Sequence, residues 1–567
     1  MMMDVPLLTT SVLRHAADYH GDTEVVSRLP DGALHRTSYA GTRARCERLA
    51  NALGALGLEP GDRAGTLAWN GHRHLELYYA VGGAGMVCHT INPRLFPEQI
   101  AYIIDHAADR VLFVDPGFVP LLEGIAGRLA RVPAIVVLAD AGEMPRSEVL
   151  PGLLCYEELL AAAPAGFDWP VLDENTACAL CYTSGTTGEP KGVLYSHRSA
   201  VLHAMAACAP DVFALSAGTV AMPVVPMFHV NAWGLPYAVP MTGAKLVLPG
   251  PRLDGASLHA LIEGEGVTFT AGVPTVWMAL LDWMRENGRS FSTLRRVIIG
   301  GSACAPVLID RFQEHGVQVV HAWGMTETSP LGVANTPKAK HGALSPAALR
   351  ALSEKQGRPL FGVECRVLGA DGAEVPRDGR AHGSLLVRGP WVAAGYFGMD
   401  AAPAFSRAGW FETGDVVTMD ADGYVHVVDR TKDVVKSGGE WIGSIELENV
   451  ALAHPAVREA AVVARPDERW GERPLLVLVL RDGAEVNWRE MAAFYEGKVA
   501  RWCVPDAMVV VDELPHTATG KLQKERIREM LRDGQLALME RGSRGGATFF
   551  SAAPRIEGAP QREGTGP

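Results

Sequence analysis

A chain of 567 residues, 48% of them hydrophobic, can bury two or more cores, so its length and composition exclude a disordered protein. A formal net charge of −12 with 20% charged residues argues against a general nucleic-acid binder, because such proteins neutralise phosphates with clustered lysine and arginine. The nine scattered cysteines favour reduced thiols over a disulfide framework, and we expect a cytoplasmic protein.

The first twenty residues predict a helix and not an export signal. The stretch MMMDVPLLTTSVLRHAADYH lacks a cationic segment before an apolar run, and it places Leu13, Ala16 and Ala17 at helical spacing. No apolar run in the chain approaches the roughly 18 residues that indicate a membrane span. We therefore expect neither a secretory signal nor a transmembrane helix.

From about residue 39 to residue 320, short apolar segments alternate with helical patterns. Four such segments are 110–114, 134–138, 245–248 and 296–299. Alternation of this kind predicts α/β layers, in which mainly parallel sheets are covered by helices.

The pattern changes twice in the second half of the chain. Beyond Gln356, the glycine-punctuated segments GVECRVLGADGAEV and GSLLVRGPWVAAGYF predict antiparallel strands joined by tight turns, and hence a β-rich subdomain. After Asp429 the pattern becomes that of a small α+β unit. We predict an N-terminal domain over 1–429, a C-terminal domain over 434–535, and a disordered tail over 536–567 that has little to bury.

The most informative stretch is YTSGTTGEPKG, residues 182–192, which follows the apolar segment 177–181. Its glycines let the backbone bend, its hydroxyl groups add hydrogen-bond donors, and Lys191 adds a positive charge, a combination that suits a polyphosphate. It is not a Walker A loop, because Lys191 is followed by Gly192 and not by serine or threonine. The alternative interpretation of the same composition is a flexible surface loop.

Together with the segments that follow it, this loop resembles the adenylate-forming superfamily, which includes AMP-forming acyl-CoA synthetases, peptide-synthetase adenylation domains and luciferases. YTSGTTGEPKG resembles the superfamily signature, and HAWGMTET resembles its YGxTE motif, with Trp323 in place of the more usual tyrosine. The resemblance extends over about residues 7–532. It implies a large N-terminal domain and a small mobile C-terminal domain that turns about a hinge at 430–433, where Lys432 matches the hinge residue.

The resemblance also implies site residues. Those that would bind ATP or AMP are Thr183, Ser184, Gly185, Thr186, Thr187, Gly188, Lys191, Val230, Trp233, Gly301, Ser302, Ala303, His321, Ala322, Trp323, Gly324, Thr326, Asp415, Arg430, Lys432 and Lys436. Those that would form the acyl pocket are His229, Trp233 and Gly301, and those that would bind coenzyme A are Ser437, Gly438, Gly439, Glu440 and Trp441. The catalytic residues would be Lys521, Thr326, Glu327 and His229.

These implied roles suit the chemistry of the side chains. Thr183 and Glu327 would bind Mg²⁺, a hard ion that prefers oxygen ligands, and Asp415 would accept hydrogen bonds from the ribose hydroxyls. Lys521 would stabilise charge as the substrate carboxylate attacks the α-phosphorus of ATP. Rotation about Lys432 would then replace Lys521 with the glycine-rich strand that receives coenzyme A. Taken singly, each motif has a plainer explanation as a core histidine, a turn, a helix cap or a surface lysine.

The resemblance implies an ATP-dependent acyl-CoA ligase that forms an acyl-AMP, then a thioester, and releases AMP and pyrophosphate. The segments HTINPRLFPEQI, PMFHVNAWGLPY and HAWGMTETSPLG are most similar to bacterial medium- and long-chain fatty acyl-CoA synthetases, and above all to the branch with 3-methylmercaptopropionate-CoA ligases. We expect a short- or medium-chain acid or 3-methylthiopropionate as substrate, and a homodimer by analogy. The alternatives are a long-chain ligase, an adenylating enzyme that loads a carrier protein, and a non-catalytic nucleotide-binding paralogue.

Overall fold

The computed structural model describes residues 1–183, 189–399, 402–405, 409–438, 440–516, 522–536 and 538–540. The chain forms two compact units, and the division falls between Val427 and Val428, inside the strand Val425–Arg430. Within the described ranges, no helix is both long and apolar enough to cross a membrane.

Two large, mainly parallel sheets form the centre of the first unit. The strands of the seven-stranded sheet are, in spatial order, Leu154–Cys155, Ala134–Val137, Asp109–Val114, Arg63–Leu67, Val87–Thr90, Ala177–Tyr182 and Gly192–Ser196. The strands of the nine-stranded sheet are, in spatial order, Arg358–Pro359, Leu331–Ala334, Gln318–Gly324, Arg296–Ile299, Phe269–Gly272, Val220–Pro223, Lys245–Leu248, Glu24–Arg28 and Leu34–Ser38. Most of these strands are buried on both faces, which explains their continuous apolar sequences.

Helices cover these sheets. The α-helices of the first unit are Thr9–Tyr19, Tyr39–Ala55, His72–Gly83, Pro97–Ala107, Val119–Gly124, Tyr156–Ala162, His197–Cys208, Leu235–Met241, Gly255–Glu265, Pro274–Glu286, Pro306–Glu314 and Pro346–Glu354, and a left-handed turn, Val230–Trp233, precedes the eighth of them. Their starts follow local rules: the Ser38, Ser196 and Asp254 side chains accept backbone N–H groups as N-caps. Proline begins four of the longer helices, where its missing N–H costs nothing.

A four-stranded antiparallel sheet follows the nine-stranded sheet in sequence. Its strands are Glu364–Leu368, His382–Arg388, Phe411–Met419 and Val425–Arg430. The β-rich subdomain expected after Gln356 is therefore present. The strand expected in GSLLVRGPWVAAGYF ends at Arg388, however, because Pro390 has no N–H to donate and the N–H groups of Ala393 and Phe397 bond to residues outside this sheet.

In its described residues, the second unit is a six-stranded sheet with three helices. Its strands are Val435–Ser437, Glu440–Ile442, Val457–Asp467, Gly471–Leu480, Ala507–Val510 and Met539–Glu540, and its helices are Ser444–Leu452, Trp488–Tyr495 and Lys524–Arg532. The last strand lies where we predicted the start of a disordered tail, since Met539–Glu540 pairs with Ala507–Val510. Residues 541–567 of that tail lie outside the described residues.

The α/β class, with parallel-rich sheets, a β-rich subdomain and a C-terminal domain, is thus confirmed. Two of the predicted strands coincide with Lys245–Leu248 and Arg296–Ile299, and the other two differ by one residue at one end.

Candidate active site

Strand ends of the first unit position the stem of the TSGTTG loop. Thr183 directly follows the strand Ala177–Tyr182, and its N–H donates to the Lys191 carbonyl at 2.9 Å. The Lys191 N–H donates in turn to the Thr183 hydroxyl at 3.2 Å. This pair closes the base of the loop just before the strand Gly192–Ser196. Ser184, Gly185, Thr186, Thr187 and Gly188 lie outside the described residues.

Glu327 is a buried acidic residue in a short turn of the first unit. It is 4% exposed, and it belongs to the turn Thr326–Thr328, whose first carbonyl accepts a hydrogen bond from the Tyr195 hydroxyl at 2.7 Å. The Tyr396 hydroxyl donates to Glu327 Oε1 at 2.6 Å. Burial, with Glu327 beside it, raises the pKa of Tyr396 well above its ordinary value, so the phenol stays a donor.

The Glu327 carboxylate fits a bound cation. In the described part of the chain, the Tyr396 hydroxyl is its one hydrogen-bond partner, and no lysine or arginine forms an ion pair with it. A buried carboxylate that lacks a compensating charge is costly, and Mg²⁺ supplies that charge through the oxygen ligands it prefers. Glu327 is therefore suited to hold the Mg²⁺ expected from the sequence, with Thr183 as the second expected ligand.

Trp323 and Asp415 form a buried pair. The indole Nε1–H of Trp323 donates to Asp415 Oδ2 at 2.8 Å, and the two residues are 8% and 2% exposed. Gly332 makes room for the ring, because a Cβ there would lie 2.5 Å from Trp323 Cζ3. Tryptophan at this position therefore does more than preserve an aromatic face: its N–H holds the carboxylate that we expect to bind ribose.

The segment after His229 has an unusual backbone. Val230, Asn231, Ala232 and Trp233 all have positive φ, between 45° and 57°. Such left-handed residues cost roughly 1–2 kcal/mol each when they are not glycine, so other contacts must hold this turn. The sequence predicted contacts for His229, Val230 and Trp233 but gave no sign of this strained conformation.

Asn231, for which the sequence predicted no role, anchors that turn. Its Oδ1 accepts from the Cys181 thiol at 3.3 Å and lies 3.2 Å from the Tyr78 hydroxyl. The Tyr78 hydroxyl also bonds to the Met227 carbonyl. Asn231 is 6% exposed, so its amide links the turn to the strand that leads into the TSGTTG loop. The one feature of the sequence that could have indicated this role is the presence of a polar residue, Asn231, within the apolar and aromatic segment PMFHVNAWGLPY.

Trp233 packs against the two glycines that follow the strand Arg296–Ile299. A Cβ on Gly300 would lie 3.4 Å from Trp233 Cη2 and 2.7 Å from the Ala322 carbonyl oxygen, and a Cβ on Gly301 would lie 3.8 Å from Trp233 Cζ2. Gly301 also has φ of +82°, which favours glycine. The structure thus brings together Trp233 and Gly301, the two residues expected to shape both the acyl pocket and the nucleotide site.

The remaining predicted residues of the first unit belong to two short segments, 302–303 and 321–324. Ser302 is exposed and Ala303 is partly buried, and Ala322 is buried in the strand Gln318–Gly324. Gly324 permits a close approach, because a Cβ there would collide with the Pro330 carbonyl. The His321 side chain contacts the end of the helix Pro346–Glu354, where its Nδ1–H donates to the Glu354 carbonyl at 3.1 Å. Burial lowers the pKa of His321 to about 4.

In the second unit, the buried Arg473 holds the strand Val435–Ser437 in place. It donates to the Ser437 hydroxyl at 3.1 Å, to the Trp502 and Val504 carbonyls at 2.7 and 3.0 Å, and to Asp506. Ser437 is 4% exposed, so a contact with coenzyme A at this position would come from its backbone.

Gly438 and Lys436 flank Ser437. The φ of Gly438 is +61°, and a Cβ there would lie 2.8 Å from the Trp470 ring, so the position requires glycine. Lys436 is exposed, and its N–H donates to Glu472 at 2.7 Å. Glu440 and Trp441 lie in the strand Glu440–Ile442, while Gly439 and Lys521 lie outside the described residues.

The helix Lys524–Arg532 holds the chain on the C-terminal side of the predicted hinge. Arg528 pairs with Asp433 and donates to the Lys432 carbonyl at 3.1 Å. One turn earlier, Lys524 pairs with Glu448 at 2.6 Å. Arg430 is the first residue of the predicted hinge, and its N–H donates to the carboxylate of its neighbour Asp429 at 2.8 Å.

Known proteins resemble this chain over nearly its whole length. The chain is 53% identical over 533 residues to a 3-methylmercaptopropionyl-CoA ligase of Ruegeria lacuscaerulensis, covering 94% of this chain and 98% of the relative. It is 51% identical over 533 residues to a medium-chain-fatty-acid–CoA ligase of Ectopseudomonas oleovorans, covering 94% and 97%. A crystal structure of an anthranilate CoA ligase in complex with anthranoyl-AMP matches with a TM-score of 0.83 at 26% identity, covering 94% of this chain and 98% of that one.

The fold and the site define an adenylate-forming enzyme. The sequence pattern of the AMP-binding enzyme matches residues 13–397, and that of the AMP-binding enzyme C-terminal domain matches residues 446–521. The chain therefore belongs to the AMP-binding enzyme family, and it is an acid–thiol ligase that uses ATP with Mg²⁺ and coenzyme A.

Proposed function

We propose that this ligase converts an aliphatic acid of short to medium chain length, or 3-methylthiopropionate, into its coenzyme A thioester by way of an acyl-AMP. Two features of the first unit carry the proposal. One is Glu327, a buried carboxylate without a cationic partner among the described residues, and the other is the packing of Trp233 against Gly301. The names of the relatives at 53% and 51% identity support the choice of acid.

In the first half-reaction, the residues of the first unit bind and orient. Glu327 and Thr183 would hold Mg²⁺, which neutralises phosphate charge when bound. Asp415 would accept hydrogen bonds from ribose while the Trp323 N–H fixes its other oxygen. Lys521 would stabilise the charge that develops as the carboxylate oxygen attacks the α-phosphorus and pyrophosphate leaves.

We further propose that residues 430–433 are a hinge between an N-terminal domain, 1–429, and a mobile C-terminal domain, 434–535. The contacts of Arg528 with Asp433 and with the Lys432 carbonyl support this, because they tie the last two residues of the proposed hinge to the helix Lys524–Arg532 of the second unit. Rotation there would bring the strand Val435–Ser437 and the glycines that follow it toward the acyl-AMP, where coenzyme A reacts in the second half-reaction.

A panel of acids tests the choice of substrate. Pyrophosphate release is measured with butyrate, octanoate, palmitate and 3-methylthiopropionate, for the wild type and for Trp233→Ala. We expect the wild type to prefer the shorter acids, and the variant to accept longer ones because an indole no longer covers Gly301. Exclusive use of palmitate and longer acids by the wild type would make it a long-chain ligase instead.

A second experiment separates the half-reactions with Lys521→Ala. We expect this substitution to abolish most ATP–pyrophosphate exchange while sparing thioester formation from supplied acyl-AMP. Full exchange in the variant would contradict the role of Lys521, and no exchange in the wild type would indicate a non-catalytic paralogue. Transfer to a holo-carrier protein, with none to free coenzyme A, would indicate a carrier-loading enzyme.

The proposal includes a homodimer located in the cytoplasm, supported by analogy with related synthetases and by the nine unpaired cysteines. Light scattering on the purified full chain tests the first point, since a mass near 60.6 kDa would show a monomer.

A further inference from the structure

Tyr396 contacts both charged residues that the proposed function assigns to the polyphosphate. Its hydroxyl donates to Glu327 Oε1 at 2.6 Å, and its ring centroid lies 5.0 Å from Lys191 Nζ. The first contact is a hydrogen bond to a carboxylate and the second is a cation–π contact. One partly buried side chain therefore connects the anion and the cation, which are far apart in sequence.

The backbone around Tyr396 is fixed to the same two places. On the loop side, the Phe397 N–H donates to the Gly192 carbonyl at 2.8 Å. On the other side, the Ala393 N–H donates to the Glu327 carbonyl at 2.7 Å. The segment 391–398 is held further by the Ser329 hydroxyl, which donates to the Trp391 carbonyl at 2.7 Å. The phenol is therefore preorganised and does not depend on its own hydrogen bond for its position.

The hydrogen bond from Tyr396 determines which part of Glu327 can bind a cation. The phenol occupies Oε1, and within the described ranges no other group bonds to the carboxylate. Oε2 is thus the oxygen left for a metal ion. Groups that orient a metal-binding carboxylate in this way usually matter to metal affinity almost as much as the ligand itself.

We propose that Tyr396 is a positioning residue for adenylation: its hydroxyl orients Glu327 toward the metal ion, and its ring holds the Lys191 ammonium in place for the phosphates. The inference rests on the proposed function, in which Glu327 binds the Mg²⁺ of Mg·ATP. It assigns a separate task to each end of the same side chain, so the two tasks can be separated by substitution.

The experiment measures binding, not turnover. Calorimetry gives the affinity of the full-length protein for α,β-methylene-ATP with Mg²⁺ and with EDTA. Tyr396→Phe removes only the hydroxyl, and we expect about tenfold weaker binding of the magnesium complex with unchanged binding of the metal-free nucleotide. Tyr396→Leu also removes the ring, and we expect it to weaken binding of the metal-free nucleotide too, because Lys191 loses its aromatic partner.

Tyr79→Phe is the matched control. The Tyr79 hydroxyl likewise donates one hydrogen bond, to the Pro236 carbonyl at 2.7 Å, but Tyr79 is fully buried and lies outside the site. We expect this variant to bind both forms of the nucleotide like the wild type. The inference is overturned if Tyr396→Phe binds the magnesium complex like the wild type, or if it weakens both forms equally, as a purely structural role would.

Glu327→Gln tests the proposed role of Glu327 in binding Mg²⁺ separately from the role of Tyr396. If Glu327→Gln leaves the preference for the magnesium complex intact, then Glu327 is not a metal ligand, and the proposed function fails at that residue. If Glu327→Gln removes the preference and Tyr396→Phe does not, only the inference fails. In the double variant, we expect Tyr396→Phe to add no further loss to that of Glu327→Gln, because the hydroxyl acts through the carboxylate.

Discussion

Replacing Trp323 with phenylalanine keeps an aromatic ring at this position but removes the N–H that donates to Asp415 Oδ2 at 2.8 Å. Both residues are buried, so the carboxylate loses a donor that water replaces poorly. A hydrogen bond to a charged group contributes about 1.5–3 kcal/mol. If all of this free energy were lost from nucleotide binding, the affinity for ATP would fall by roughly 10- to 150-fold. Because ATP brings ribose hydroxyls to the same carboxylate, we expect the loss to appear mainly in nucleotide binding, at about tenfold.

The assay is ATP–pyrophosphate exchange at saturating acid, with KM measured for ATP and for 2′-deoxy-ATP. We expect a higher KM for ATP and a smaller change for the deoxynucleotide, since a misplaced Asp415 matters less when a ribose hydroxyl is missing. Trp277→Phe is the control: Trp277 is fully buried, and its Nε1 has no hydrogen-bond partner among the described residues. An unchanged KM for ATP in a folded Trp323→Phe protein would refute the reasoning.

Three further predictions follow from other buried contacts. Asn231→Ala should lower the free energy of unfolding in urea by about 2–3 kcal/mol and reduce exchange activity, because it frees a strained left-handed turn. Arg473→Lys should slow thioester formation at least about tenfold and leave ATP–pyrophosphate exchange unchanged. The reason is that one ammonium group cannot replace the several hydrogen bonds through which Arg473 holds Ser437. An equal loss of rate in both assays would contradict this prediction. Burial lowers the pKa of His203 to about 3 and that of His321 to about 4, so the unfolded chain binds more protons. The part of the stability that these two histidines contribute should be complete above about pH 6.5 and fall toward pH 4 by about 1.4 kcal/mol per pH unit and histidine, as calorimetric melting at each pH would show.

Local sequence determined the elements and the order of the motifs. The strand Ala177–Tyr182 is predicted by its apolar run, and the loop after it by its glycines and hydroxyls. Trp323, Glu327 and Asp415 were identified because each lies in a short motif that resembles a family pattern. Such signals depend on residues close together in the chain, and they therefore survive without knowledge of the fold.

The tertiary structure alone decided how those residues are held. The pairs Trp323–Asp415 and Glu327–Tyr396 are separated by 92 and 69 residues, and nothing in the local sequence states which buried donor meets which acceptor. The left-handed turn at Asn231 is equally hidden, because its conformation is imposed by partners from other strands and helices. The sequence therefore specified which polar groups the site contains. The packing of distant elements decided which oxygen of each buried carboxylate accepts a hydrogen bond from the protein, because hydrogen-bond geometry depends on the position of both partners.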